Sequence, residues 1–248
     1  MFTKNVNAAE NSPIPERRGP GRPPGRTPQG LAAKQRLYDI AMELITERGY
    51  ETTTLRDVAD RAGVSVGLLY RYFPSKRTVV LQLYDELSAR YAERAAGMAP
   101  GRWRERFLFA LETSLDVLRP HRRTLAALTP ILVGDANEGV FSTMMAPSRQ
   151  RVQIVFHDAV AGATDAPRPP IARALGQLLY VAHLAIILWW LLDRSRHQRA
   201  TTALVALVRQ SLPVWALTLR LKHVRSFVLA AEGLVREALL GDRDSVVA

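Results

Sequence analysis

Apolar positions along the chain recur three and four residues apart, and no stretch keeps the two-residue alternation of a half-buried strand, so the pattern predicts an all-α protein. The most sharply punctuated stretch runs from Thr54 to Lys76, TLRDVADRAGVSVGLLYRYFPSK. Thr54 followed three residues later by Asp57 is a carboxylate form of the capping box and starts a helix at Leu55 or Arg56. Val58, Ala59 and Ala62 give that helix one apolar face, and Gly63 ends it where a left-handed residue is needed. Ala59 is small enough for a close crossing, Val64 fills the turn and Ser65 caps a second helix from Val66, whose Leu69 and Phe73 face inward. These are the marks of a helix-turn-helix, residues 54–73.

Beyond Lys76 the spacing stays helical. Trp103, Phe107, Leu111, Ser114, Leu115 and Leu118 form one stripe that ends near Pro120. Further helices are expected near 121–132, 138–161, 171–194, 200–221 and 226–240, with Pro147 and Pro213 kinking or dividing two of them. Residues 162–170, GATDAPRPP, break the pattern. Ala174 to Leu192 is a run of nineteen uncharged residues, the one stretch long enough to invite a transmembrane reading. Gln177 and His183 within it favour a helix buried on nearly all sides, and no membrane partner is expected.

Charge changes the picture by where it sits. The formal net charge is +11, which favours an anionic partner. Residues 1–30 carry five basic and two acidic groups, residues 31–90 nine and eight, and the rest twenty and thirteen. The helix-turn-helix is thus nearly neutral, and any basic surface on it comes from sorting charges between faces. There is no cysteine, which removes disulfides, thiolate metal sites and cysteine nucleophiles. The five histidines form no H-E-x-x-H pair and no phosphate loop is present, so neither metal nor cofactor is expected. The N-terminal sequence has no apolar signal core, which makes the cytoplasm the expected compartment.

The string LLYRYFPSK after AGVSVG resembles the signature of the TetR family of bacterial transcriptional regulators, over roughly residues 31–90. The resemblance implies a DNA-binding domain at 31–76, with a supporting helix at 31–48, and a helical ligand-binding and dimerisation domain at 77–248. It implies that Thr54 touches a phosphate, that Ser65, Val66 and Gly67 lie at the N-terminus of the recognition helix, and that Tyr70, Tyr72 and Lys76 clamp phosphates. Hydroxyls, helix N-terminal amides and lysine are ordinary phosphate partners. Base reading then falls to Arg71, toward guanine or equally toward a phosphate, and to Val66 and Leu68, toward thymine methyls. The family implies a homodimer on a palindromic operator, joined through C-terminal helices, and release by a small-molecule effector. Helices 171–194 and 200–221 are the candidates for the dimer, with 226–240 a third. An activator, or a regulator without a ligand, fits the same fold.

Three features are weighed against plainer readings. Residues 1–30 form a Pro/Gly/Arg-rich arm expected to be flexible, in which Arg22 and Arg26 resemble a minor-groove hook. Gly63 to Gly67 satisfies G-x-S-x-G, the hydrolase nucleophile elbow, but the strand it needs does not precede it, and no enzyme is expected. Trp103, Phe107, Phe141, Met144, Met145, Phe156, Tyr180, His183, Trp189 and Trp190 can line a pocket, although such residues more often form plain core, His183 included.

Overall fold

The computed structural model describes residues 27–134 and 139–240. Among them there are helices and turns and no strand. The first helix, α1 (Pro28–Arg48), begins three residues before Leu31. Thr27 accepts the amide of Gly30 at 3.1 Å, and Pro28 stands in the first turn, where its missing N–H costs nothing. Its buried stripe of Leu37, Tyr38, Ala41, Leu44 and Ile45 receives α2 (Leu55–Ala62) and α3 (Val66–Tyr72). Next, α4 (Lys76–Ala95) leaves this unit and forms one wall of a larger bundle with α5 (Trp103–Leu118), α6 (Arg122–Gly134), α7 (Ala146–Ala161) and α8 (Pro169–Leu192). Two helices close the chain, α9 (Arg199–Thr218) and α10 (Lys222–Val235), followed by a π-type turn over Arg236–Leu240.

The bundle is tightest between α7 and α8. A Cβ placed on Gly176 would stand 2.9 Å from the Cα of His157, so only glycine lets the two backbones cross this closely. Two arginines hold helix ends together. The guanidinium of Arg106 donates to the carbonyls of Asp158 and Ala159, at the end of α7. Arg122 donates to those of Trp190, Leu191 and Asp193 at 2.7–3.3 Å, at the end of α8. Both satisfy carbonyls that a helix terminus leaves without an intrahelical partner.

Several expectations are corrected. The helix expected at 138–161 begins only at Ala146, after a 3-10 turn at Thr143–Met145, and Pro147 sits in its first turn instead of kinking its middle. Pro213 does not divide α9, which runs through it from Arg199 to Thr218. The last helix starts at Lys222, four residues earlier than expected. Among the described residues two helices, not one, are long and apolar enough to cross a membrane, Pro169–Leu192 and Arg196–Thr218.

Helix α9 is held lightly. Only Thr201 and Leu212 in it are buried, and an Arg209–Glu112 ion pair ties it to α5. Its connection to α8 is strained, because His197 (φ 52°) and Gln198 (φ 58°) both take the left-handed conformation. The indole N–H of Trp190 donates to the Gln198 side chain at 2.7 Å, and the Asp193 carboxylate accepts from Ser195 and from the amide and hydroxyl of Thr201. The bonds from Thr201 and Ser195 hold the Asp193 carboxyl well below the usual carboxylate range.

Candidate nucleic-acid interface and interior cavity

The capping box read from sequence forms, and it occupies the Thr54 side chain. The Thr54 hydroxyl donates to Asp57 Oδ2 at 2.7 Å and accepts the Asp57 amide at 3.2 Å, while the Thr54 amide donates back to the carboxylate at 2.8 Å. These bonds, the Thr54 hydroxyl first, hold the Asp57 carboxyl below its ordinary range. Thr54 therefore comes to the site with its hydroxyl proton already given to Asp57. At the turn, Gly63 takes φ 67°, and its amide and that of Val64 return to the carbonyls of α2.

Ser65 caps α3 by accepting the Leu68 amide at 3.2 Å. Leu69 (0% exposed) and Phe73 pack inward with Val66, which turns Gly67, Tyr70 and Arg71 together onto the exposed face. Leu68 and Tyr72 lie half-buried on its flanks. This is the surface of a short helix whose first turn can approach a phosphate backbone closely at Gly67 and whose Arg71 extends past it. Ser65 thus stands at the cap of a helix that follows another helix, and among the described residues no strand leads into it, as a hydrolase elbow requires.

Lys76 differs most from expectation. Its ammonium donates to the carbonyls of Tyr50, of Thr53 at 2.9 Å and of Glu51 at 3.4 Å, and lies 4.0 Å over the Tyr50 ring. It ties the start of α4 to the loop before α2. The charge of Lys76 is thus turned to backbone oxygens that the loop leaves exposed. Arg22 and Arg26 lie outside the described residues.

A cavity of about 370 Å³ opens among α4, α6, α7 and α8. Its wall is mainly aliphatic, with Leu87, Leu125, Leu132, Val152, Leu184 and Leu188 among the lining residues. Of the aromatic and methionine residues proposed for a pocket, Phe141, Met145, Tyr180 and His183 line it. Trp103, Phe107, Phe156 and Trp190 are core packing, while Met144 and Trp189 are exposed. His183 is not fully satisfied: Nε2 pairs with Ser114 Oγ at 2.8 Å, and Nδ1 has no partner. Burial pushes its pKa down to about 3, so the ring is neutral.

Sequence reasoning missed Tyr84 and Tyr91, whose hydroxyls are buried at the same cavity with no partner. Burial pushes both phenols up. A signal existed, since two tyrosines seven apart on the inward stripe of α4 stand where aliphatic residues would be expected.

Known proteins match this chain in two ways. Residues 37–83 match the family model described as bacterial regulatory proteins, tetR family. The HTH-type transcriptional repressor KstR2 of Rhodococcus jostii is 39% identical over 79 residues, covering 30% of this chain and 39% of that protein. KstR of Mycobacterium tuberculosis is 54% identical over 43 residues, 17% of this chain and 20% of that protein. The chain thus spans less than half the length of the curated relatives it matches. Over a wider span, a tetR-family regulator from Streptomyces coelicolor superposes with a TM-score of 0.57 at 19% identity, covering 82% of this chain and 89% of that one. The fatty acid degradation regulator FadR of Bacillus halodurans gives 0.57 at 19% identity, covering 73% and 94%. At such identity these two show a common fold.

Proposed function

We propose that the chain, whose residues 37–83 match the family model of bacterial regulatory proteins of the tetR family, is a ligand-responsive, homodimeric repressor of transcription acting on a palindromic operator. The observation that carries this reading is the pairing of an exposed recognition face, Gly67, Tyr70 and Arg71, with an apolar cavity in the bundle that α4 joins to it. The relatives named as repressors support the direction of control.

In this reading Ser65, Val66 and Gly67 bring the α3 N-terminus to a phosphate, and Tyr70 and Tyr72 donate to the same strand. Arg71 reaches a guanine edge, with Leu68 and the exposed part of the half-buried Val66 beside thymine methyls. Thr54 and Lys76 hold this surface in shape, and Arg22 and Arg26 of the arm enter the neighbouring minor groove. Two such helices on a two-fold axis read half-sites about one helical turn apart. The second copy covers the large apolar residues exposed from Trp189 to Leu234, including Leu207, Val214, Trp215 and Phe227 on α9 and α10.

The effector acts through α6. Leu125, Thr129 and Leu132 line the cavity, and Thr124 on the same helix meets Thr46 of α1, hydroxyl to hydroxyl, at 2.7 Å. A hundredfold loss of operator affinity requires about 2.7 kcal/mol of differential binding between the two states. A partner of this kind puts the protein in the cytoplasm, at the nucleoid.

The test is selection of bound fragments from the source genome at stated salt, followed by footprinting. One palindrome protected by a dimer is expected, with Arg71→Ala losing preference at one position in each half-site. Monomeric protein at micromolar concentration, or no enriched palindrome, sinks the reading. An activator has the same contacts and differs by an operator upstream of the promoter.

A further inference from the structure

We infer that the interior cavity is built for an uncharged, largely apolar molecule whose polar end is a carbonyl oxygen, received by Tyr84, Tyr91 and His183. The regulatory meaning of this inference rests on the effector reading above, whereas the binding itself does not.

Size and wall come first. About 370 Å³ falls within the range of small-molecule sites, roughly 300–1,000 Å³, and a mainly aliphatic lining selects an apolar body. Among the described lining residues Arg149 is the only ionised side chain, and its Nη1 donates to the carbonyls of Val140 and Ser142 at 3.1 and 2.9 Å. An anion buried in this wall would find that charge already turned toward a loop.

The polar groups fix the end. Tyr91 and His183 are 3% and 4% exposed, their rings lie parallel with centroids 6.4 Å apart, and Tyr91 Oη and His183 Nδ1 have no partner. Tyr84 Oη is the third such atom at the same cavity. Two other polar lining groups are engaged: Thr129 donates to the Leu125 carbonyl, and Ser88 donates to the Asp85 carbonyl and accepts from Arg151.

The tautomer of His183 follows from counting protons. Ser114 is buried, and its hydroxyl finds an acceptor at His183 Nε2. If Ser114 donates there, the neutral ring carries its hydrogen on Nδ1 and a single group is left unmet. The reverse arrangement strands both the serine hydrogen and the Nδ1 lone pair, at about 1–3 kcal/mol for each unmet buried group. Nδ1 is therefore a donor. One imidazole N–H and two phenol O–H groups, on α8 and α4, then lack an acceptor among the described residues. A carbonyl oxygen brings no charge and has two lone pairs, which take two of these three donors at a time.

The experiment titrates the full-length protein with 2-dodecanone, dodecanoate and dodecylammonium, three chains that differ at the polar end. Binding is read by thermal shift and by displacement of an apolar fluorescent dye. The ketone is expected to bind at least tenfold tighter than either charged chain. Tyr84→Phe, Tyr91→Phe and His183→Leu should each weaken ketone binding roughly three- to tenfold, one hydrogen bond's worth. The two phenylalanine variants should also keep or raise the ligand-free Tm, because each removes an unmet buried group. A charged chain that binds as well as the ketone, an unchanged ketone Kd in the three variants, or no binding of any probe overturns the inference. Fluorescence anisotropy of the selected operator is read in parallel. Ketone bound through these groups with operator affinity unchanged supports the cavity's chemistry and refutes the regulatory reading.

Discussion

The N-terminal unit and the bundle behind it are finished to different degrees. Around the helix-turn-helix, Val58, Ala59, Leu69 and Phe73 are closed off from solvent, and each helix start is capped by Thr27, Thr54, Ser65 or Ser75. The loop before α2 has its carbonyls met by Lys76. In the bundle, two phenols and an imidazole nitrogen go unmet inside, while Trp215 (58% exposed) and Phe227 (68%) lie bare outside. A surface that meets DNA can be rigid and complete before its partner arrives. A domain proposed to take up a small molecule and a second copy keeps both places open, at a cost in stability to the isolated chain.

The sharpest break of this contrast is Phe73→Ala. Removing a fully buried ring should cost about 3–5 kcal/mol and abolish operator binding, as urea denaturation and anisotropy would record. Loss of DNA binding without loss of stability would mean that the unit is less closed than described.

Next in size is the pH dependence of His183. Its folded pKa, about 3, lies below the ordinary 6.5, so the neutral ring's contribution is complete above about pH 6.5 and is lost as pH falls toward 3. Wild type should lose up to about 1.4 kcal/mol per pH unit over that window relative to His183→Gln. Parallel stability curves for the two proteins would show that the ring is hydrated when folded.

Lys76→Met should cost about 1–3 kcal/mol and lower operator affinity alike for all sequences. The salt dependence separates brace from clamp. A brace leaves the slope of log K against log salt unchanged, whereas a lysine on a phosphate would reduce it by about one. The smallest effect on the isolated chain is that of Trp215→Ser, within about 0.5 kcal/mol. That substitution should nevertheless shift the dimer toward monomer in sedimentation, and an unmoved equilibrium would place the second copy elsewhere.

The legibility of the chain follows the same division. Thr54, Asp57, Gly63 and Ser65 were readable because caps and left-handed turns are local, depending on neighbours three or four residues away. The starts of α7 and α10 and the course of α9 through Pro213 were not, because tertiary packing decides where a helix starts and whether it continues past a proline. The bonds of Lys76 were not readable for a related reason: its acceptors lie 23 to 26 residues away, and composition cannot show where an ammonium turns. The cavity was half-legible. Tyr180 and His183 were among the residues offered for a pocket, while Tyr84 and Tyr91 were passed over, and only the structure shows that their hydroxyls have no partner.

The attachment of α6 has a mechanical consequence. Arg122 fastens one end to α8, and two residues on Thr124 meets α1, whereas Val133 at the far end is exposed on the cavity rim. This rod of thirteen residues, about 20 Å long, is pinned near its start, and its later turns are held by the packing of Leu128 and Ile131. A ligand that lifts its last turn by about 2 Å against that packing turns the rod by roughly 6–8° about a fulcrum that rests on the N-terminal unit. Pro130, which has no amide to offer the carbonyl of Ala126, removes one rung between load and fulcrum and sets how much of that turn is absorbed by bending before it is transmitted.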